Sequence, residues 1–227
     1  MTTLQATTHT GRLDAGEAVL TAAEAVNTKP IAAKLTAFRK AQGALGLTTK
    51  ALTAAEEKLR AAQARVAESD ATQDASLSTL ADALVGIGQP RTLPFKGFST
   101  QSPSTMQKLG YAVEAKAILA LVGKVQKRKG LTPAVTAACK ASERAARAVL
   151  AAMEPLAKLE GDVAKARTRR DALTQPWETA FAKLKRAART ADDDGPHELF
   201  DTLFRTTAPE PKRPRAKKKP AEPAKPA

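Results

Sequence analysis

Aromatic side chains are scarce in this chain, at 4% of its 227 residues. Strands depend heavily on aromatic and β-branched side chains, so this composition excludes an all-β sandwich. Alanine is abundant instead: it makes up roughly a fifth of the chain, and it has the highest helix propensity of all residues. The sequence therefore predicts an all-α protein that is long enough for one domain or two small ones.

Cysteine and histidine are almost absent. Cys139 is the single cysteine, which excludes an intrachain disulfide and fits a reducing compartment, and its apolar neighbours predict a small core residue. The two histidines, His9 and His197, lie near the start of the chain and beside a predicted chain break, where neither suits a catalytic triad. Zinc-protease, C-x-x-C, dinucleotide-binding and Walker A motifs are all missing. We therefore expect no enzymatic activity, no cofactor and no bound metal, and we interpret Asp192–Asp194 as a solvated turn and helix start.

Long hydrophobic runs are missing as well. The most apolar short run, Ala117–Gly123, is far below the roughly 20 residues that a membrane helix needs. The first ten residues have neither the basic nor the apolar region of a secretory signal. These observations predict a soluble, cytoplasmic protein with no membrane partner.

Apolar residues recur at helical spacing through most of the chain, which predicts an antiparallel helical bundle with coiled-coil-like seams. Heptad positions carry Leu45, Leu52, Leu59 and Val66 in the first half, and Leu156, Val163, Arg170, Trp177 and Leu184 in the second. Long helices are predicted over about 48–85 and 155–189. Gly43 and Gly46 are expected to end the helix before the first of these, and Pro176 to kink or restart the second.

Shorter helices are predicted where start signals precede apolar residues. Ser104–Gln107 has the form of a capping box and should open a helix over about 104–128; Thr132-Pro133 should open another over about 133–153. A last helix, about 196–205, places four apolar side chains on one side: Leu199, Phe200, Leu203 and Phe204. We predict that this side packs back on the bundle; the alternative is a docking motif for a partner.

The two halves of the chain carry similar patterns, which predicts two pseudo-symmetric three-helix repeats produced by duplication. Leu52, Leu59, Leu77 and Leu80 recur 104 residues later as Leu156, Val163, Phe181 and Leu184. The predicted organisation comprises a flexible N-terminus (1–10), repeat one (11–98), a linker with the start of the second repeat (99–109), repeat two (110–205) and a disordered tail (206–227). Leucine and alanine seams left exposed would favour self-association or a protein partner.

Positive charge is in excess and unevenly distributed. The net charge is +14, of which residues 1–103 carry +2, residues 104–205 carry +7 and residues 206–227 carry +5. Two basic helical faces are predicted in the second half: Lys140, Arg144 and Arg147, and Lys183, Arg186 and Arg189. No aromatic residues alternate with these cations and no recognition-helix motif is present, so nonspecific phosphate contact is the predicted function. The alternative is a face that is merely solvated.

Arg170 lies at a predicted core position, within a group that also holds Arg167 and Arg169. A buried arginine must pair with an acid, here expected from a neighbouring helix. The site would then be an anion-binding spot between helices. The alternative is an arginine that reaches solvent near the kink at Pro176.

The clearest functional signal is the tail, which combines lysine, proline and alanine. Its candidate nucleic-acid-binding residues are Lys212, Arg213, Arg215, Lys217, Lys218 and Lys219. In composition it resembles the tails of linker histones and of bacterial histone-like proteins, and the resemblance implies contact with a polyanion. The alanine and arginine content is typical of bacteria with GC-rich DNA, where such a protein would associate with the nucleoid.

Two functions therefore stand beside each other. The first is a non-enzymatic scaffold that binds nucleic acid nonspecifically through its tail and second repeat. The alternative is a structural or assembly protein that acts through protein contacts, with the tail as a solubilising segment.

Overall fold

The computed structural model describes residues 2–3, 8–195 and 198–206. About 80% of this part is helical, which confirms the predicted helical class. The helices are α1 (His9–Ala22), α2 (Ala32–Gly86), α3 (Pro103–Met106), α4 (Tyr111–Gln126), α5 (Pro133–Met153), α6 (Leu156–Ala172), α7 (Thr174–Asp193) and α8 (Leu199–Phe204), with a short 3-10 helix at Lys29–Ile31 before α2. Two-residue strands β1 (Thr2–Thr3) and β2 (Arg205–Thr206) pair antiparallel. None of the described helices is apolar over a stretch long enough to cross a bilayer.

The predicted break at Gly43 and Gly46 is wrong, because α2 is one continuous helix of 55 residues. A glycine inside a helix costs only about 0.5–1 kcal/mol relative to alanine. Leu45, between the two glycines, is fully buried, and such burial is worth about 1.5–3 kcal/mol. Packing therefore outweighs the local preference. One helix, α2, spans the region where the sequence predicts two helices separated by a break.

Side-chain caps explain where α3 and α5 begin. Thr132 caps α5, with its hydroxyl accepting from the Val135 amide at 3.4 Å, and α5 spans the predicted residues. The cap expected at Ser104 is instead Ser102, whose hydroxyl accepts from the Thr105 amide at 3.2 Å. The predicted helix over 104–128 is consequently two helices, α3 and α4, with Gly110 as the residue that precedes α4.

The long helix predicted over about 155–189 is interrupted and restarts near Pro176, as predicted. The helical run is interrupted at Leu173, and α7 begins at Thr174. Pro176 lies in the first turn of α7, where a proline removes no intrahelical hydrogen bond because the first amides have no acceptor in the helix.

Two compact units divide the chain. Unit 1 comprises residues 1–47 and 172–227, and unit 2 comprises residues 48–171. These boundaries differ from the predicted repeats, 11–98 and 110–205, since each unit combines residues from both halves. Contacts between residues far apart in the chain define such units, and a sequence pattern carries no information on them. The duplication stays a prediction.

The core of unit 1 is aromatic. The Trp177 ring stacks on Phe181 with centroids 4.8 Å apart and meets the edge of Phe38 at 5.6 Å. Phe204 of α8 meets the edge of Phe181 at 5.5 Å. All four apolar side chains of α8 are buried in this cluster: Leu199, Phe200, Leu203 and Phe204. The prediction that this short helix packs on the folded part is therefore confirmed.

A glycine allows α1 to approach α2 within unit 1. A Cβ atom at Gly16 would lie 2.0 Å from Oε1 of Gln42, so only glycine fits without a shift of that side chain. The Gln42 amide donates to the Leu13 carbonyl at 2.9 Å and accepts from the Trp177 indole at 2.6 Å. One side chain thereby links α1, α2 and α7.

The core of unit 2 is aliphatic. Its buried residues come from the end of α2, from α4 and α5, and from the loop after α2, and include Leu77, Leu80, Leu84, Phe95, Ile118, Leu121, Val125, Val135, Cys139 and Val149. The Ser142 hydroxyl donates to the Ser76 carbonyl at 3.0 Å, and Arg167 pairs with Glu56 at 3.3 Å.

Asp192 caps α8 from a distance. Glu198 precedes this helix at a φ of 51° and makes no side-chain cap, whereas the Asp192 carboxylate accepts from the amides of Leu199 and Phe200 at 2.7 and 2.8 Å. We expect Asp192→Ala to lower the free energy of unfolding by about 1 kcal/mol, as loss of a cap does. Urea unfolding followed by Trp177 fluorescence measures this. The exposed neighbour provides the control, since Asp193→Ala should change it by less than about 0.5 kcal/mol; equal effects would contradict the capping role.

Candidate nucleic-acid interface

The basic face of α5 is exposed, as its spacing predicts. The opposite side of the helix is buried in unit 2 through Val135, Cys139, Ser142, Ala146 and Val149. This burial turns Lys140, Arg144 and Arg147 towards solvent. Arg147 also pairs with Glu143 one turn earlier, at 2.8 Å, and its hydrogen bond is the main cause that lowers the pKa of Glu143. Lys140 and Arg144 are therefore the cations of this face that phosphate can engage most simply.

Further exposed cations lie at the end of α4 and in the turn that leads to α5. They are Lys124, Lys127, Arg128 and Lys129. Since α4 and α5 form a helical hairpin with extensive mutual contact, these residues and the α5 face belong to one supersecondary element. We call Lys124, Lys127, Arg128 and Lys129 the hairpin cations.

The second predicted face, Lys183, Arg186 and Arg189 on α7, is also exposed, but it belongs to unit 1. Its last member has a packing role, because the Arg189 guanidinium lies over the Phe200 ring at 4.3 Å. Lys185, which sequence reasoning did not select, lies 5.9 Å from the same ring. Burial, and then the charge of Arg189, lowers the pKa of Lys185. The cation–π contact of Arg189 with Phe200 thus helps to hold α8 against α7, and this cation is less available to an anion.

Arg170 forms an ion pair within its own helix and not with the acid of a neighbouring helix that was expected. Its guanidinium pairs with the adjacent Asp171 at 2.6 Å, and 18% of its side chain is exposed. The acid comes from the next residue and not from a neighbouring helix. Because a carboxylate already occupies the guanidinium, the position offers little to a second anion.

Six predicted tail residues lie outside the described residues, and so does His197. Their positions are 212, 213, 215, 217, 218 and 219. The contribution of the tail therefore rests on its sequence.

Metal-ligand sets and reactive thiols are the two other kinds of site considered in the described ranges. No set of three or more His, Cys, Asp or Glu side chains there is arranged to hold a metal ion. Cys139 is fully buried, which confirms the predicted core position. Burial, with a smaller effect of Glu143, raises the pKa of its thiol, and this makes the reactive thiolate rarer.

Sequence reasoning missed two polar residues in the core of unit 2. Gln73 and Glu114 are at most 1% exposed. Glu114 lies four residues before the buried Ile118 and one turn from the start of α4, so an acid on the apolar stripe of this helix was the available signal.

The described surface offers exposed cations that phosphate can contact. Lysine and arginine on a helix face neutralise phosphates and release their counterions, without any requirement for base sequence. Comparison with protein-family models, with curated proteins and with solved structures gives no match for this chain.

Proposed function

We propose that this protein is a non-enzymatic helical scaffold that binds nucleic acid nonspecifically. The observation that carries the proposal is the group of hairpin cations together with Lys140 and Arg144, all exposed on one helical hairpin of unit 2. The excess charge of the second half and of the tail supports it. Association with a polyanion is the ordinary consequence of such a charge distribution.

The proposed contact is with phosphates and not with bases. Stacking of single-stranded bases needs aromatic side chains beside the cations. Tyr111, which is 43% exposed, lies at the start of α4, whereas the hairpin cations lie at its end. Thirteen residues separate Tyr111 from Lys124, or about 20 Å along a helix. Phe98, which lines a surface cavity together with Lys124, is packed against the core of unit 2. Duplex DNA or structured RNA therefore suits this surface better than an unpaired strand.

We also propose that the scaffold is an antiparallel helical bundle and that its two halves arose by duplication. In unit 1, the hairpin of α1 and the start of α2 packs with α7 and α8. In unit 2, the hairpin of α4 and α5 packs with the end of α2 and with Phe95. Each core thus joins a hairpin from one half to a long-helix end and an aromatic segment from the other, which supports an exchange of equivalent parts between the two copies.

A second function, assembly through protein contacts, is favoured by one observation. Val113 and Tyr111 lie in the first turn of α4 and expose 59% and 43% of their surfaces. Large apolar side chains that stay exposed at one end of a helix are available for contact with a partner. A pull-down with and without nuclease separates the two functions, because protein partners would survive the nuclease.

A triple substitution tests the leading proposal. Replacing Lys140, Arg144 and Arg147 by alanine should weaken binding to a labelled DNA duplex. If all three cations contact phosphates, the slope of log K against log salt should become shallower by about 2.7, at about 0.9 per contact. Fluorescence anisotropy over a series of salt concentrations measures both effects.

A matched control removes the same charge elsewhere in unit 2. Lys58, Arg60 and Arg65 are exposed on α2, and their replacement by alanine should change the slope by less than about 1. Equal losses in both variants would mean that net charge alone matters and would contradict a defined face. Failure of the unmodified protein to bind DNA would remove the proposal altogether.

A further inference from the structure

The core of unit 2 contains carboxyl groups with no positive partner. Glu114 of α4 is 1% exposed, and the neighbouring side chains include Asp70, Gln73 and Asp74 of α2. Gln73 is itself fully buried. The charge of Asp74, and after it that of Asp70, acts on the Glu114 carboxyl from successive turns of α2. Three acids and an amide thereby meet where α4 packs on α2.

Several polar atoms of this group lack hydrogen bonds of normal geometry. They are Nε2 and Oε1 of Gln73, Oε1 of Glu114, and one carboxylate oxygen each of Asp70 and Asp74, all sealed from solvent. Buried polar atoms without partners cost about 1–3 kcal/mol each, and more when charged. These buried atoms therefore need a small hydrogen-bond donor, for which a single proton is sufficient between two carboxylates.

The elements packed around the group supply no cation among the described contacts. From α5, the buried side chains that carry a hydrogen-bonding group are Cys139 and Ser142, and the Ser142 hydroxyl donates to the Ser76 carbonyl. Gln107, just after α3, donates to the backbone carbonyl of Asp74 at 3.3 Å. The Coulombic influences on Glu114 come from Asp74 and Asp70, both acids.

We propose that Glu114 and Asp74 hold one proton between them and so form a proton-dependent lock between α4 and α2 in unit 2. Two carboxylates in contact cannot both stay ionised, whereas a carboxylic acid donates to a carboxylate in a short, strong hydrogen bond. One proton removes the repulsion and supplies the missing donor. Its loss leaves like charges facing each other inside the core and loosens the contact between the two helices.

The direction of the pH dependence follows from the titration of Glu114. Burial first, and then the charge of Asp74, raises its pKa from 4.5 to about 7. The folded unit therefore binds more protons than the unfolded chain between these values. Its stability is full below about pH 4.5 and falls as the pH rises to about 7, by up to tenfold in the opening equilibrium per pH unit.

Amide hydrogen exchange of the full chain, corrected for intrinsic rates, tests the lock. Protection of α4 and of the facing turns of α2 should fall by up to about tenfold per unit between pH 5 and 7. In Glu114→Gln, which cannot ionise, protection should be nearly independent of pH over this range. Amides around Trp177 report unit 1 and serve as an internal reference. Glu160→Gln, at an exposed glutamate of α6, should keep the behaviour of the unmodified protein.

A second measurement keeps the proposal falsifiable if Glu114→Gln does not fold. The Glu114 carboxyl carbon, followed by NMR in the unmodified protein, should titrate with a midpoint near 7, and Asp74→Asn should move that midpoint down. A midpoint near 4.5 would overturn the proposal. Equal pH dependence of exchange in Glu114→Gln and in the unmodified protein would overturn it as well.

Discussion

Phe204→Ala should lower the free energy of unfolding of unit 1 by about 3–5 kcal/mol, the range for truncation of a buried phenylalanine. Phe204 is fully buried, and it contacts both Phe181 and Phe200 through ring edges or tilted faces. The substitution removes these contacts and leaves a cavity beneath α8, which the short helix is poorly placed to fill. Urea unfolding followed by Trp177 fluorescence is a direct measurement, because Trp177 stacks on the same Phe181 ring.

Leu47→Ala is the control for this prediction. Leu47 belongs to unit 1 and is 71% exposed, so its truncation should change stability by less than about 0.5 kcal/mol. A change below about 1 kcal/mol for Phe204→Ala would mean that α8 contributes little to the core. Such a result, combined with loss of association with a partner, would favour the docking function of this helix over its packing function.

Removal of residues 207–227 should produce the largest change in nucleic-acid binding. This segment carries seven Lys or Arg residues and two Glu residues. If about five of its cations neutralise phosphates on duplex DNA, the slope of log K against log salt becomes shallower by about 4.5. Those five contacts correspond to a roughly 500-fold fall in affinity between 50 and 200 mM salt, a fall that the truncated protein should not show. Anisotropy titrations with a labelled duplex measure both slopes.

Two controls define the cause of that change. A tail of equal length with its lysines and arginines replaced by glutamine should behave like the truncation, because charge and not length provides the affinity. Duplexes of unrelated sequence should bind equally, since phosphate contacts carry no sequence information. Equal slopes for the full and truncated chains, or no binding by either, would contradict the nucleic-acid proposal and favour the protein scaffold.

The tail and the basic face of α5 act in different ways in this proposal. Lys140 and Arg144 are presented by a helix whose other side is buried, so their spacing is constant and suits a regular phosphate backbone. The triple substitution and the truncation should therefore have additive effects on the salt slope, as expected for independent sites.

Local sequence was enough to predict the helical class, the bounds of α5 and the exposure of its basic face. Thr132 and Pro133 predicted the start of α5, and apolar residues at helical spacing predicted which of its sides is buried. The reason is physical: caps and amphipathic spacing act within a few residues. The apolar neighbours of Cys139 correctly predicted its core position, and helical spacing placed the four apolar residues of α8 on one buried side.

Tertiary packing decided the features that depend on residues far apart in the chain. Burial of Leu45 maintains α2 through two glycines that would otherwise favour its end. The ring of Phe200 engages Arg189, which spacing alone assigns to a solvated basic face. The approach of α4 to α2 brings Glu114 to Asp74, forty residues away in the chain. The free energy of each arrangement arises from contacts between separate elements, and such contacts leave no periodic signal in either of the segments that make them.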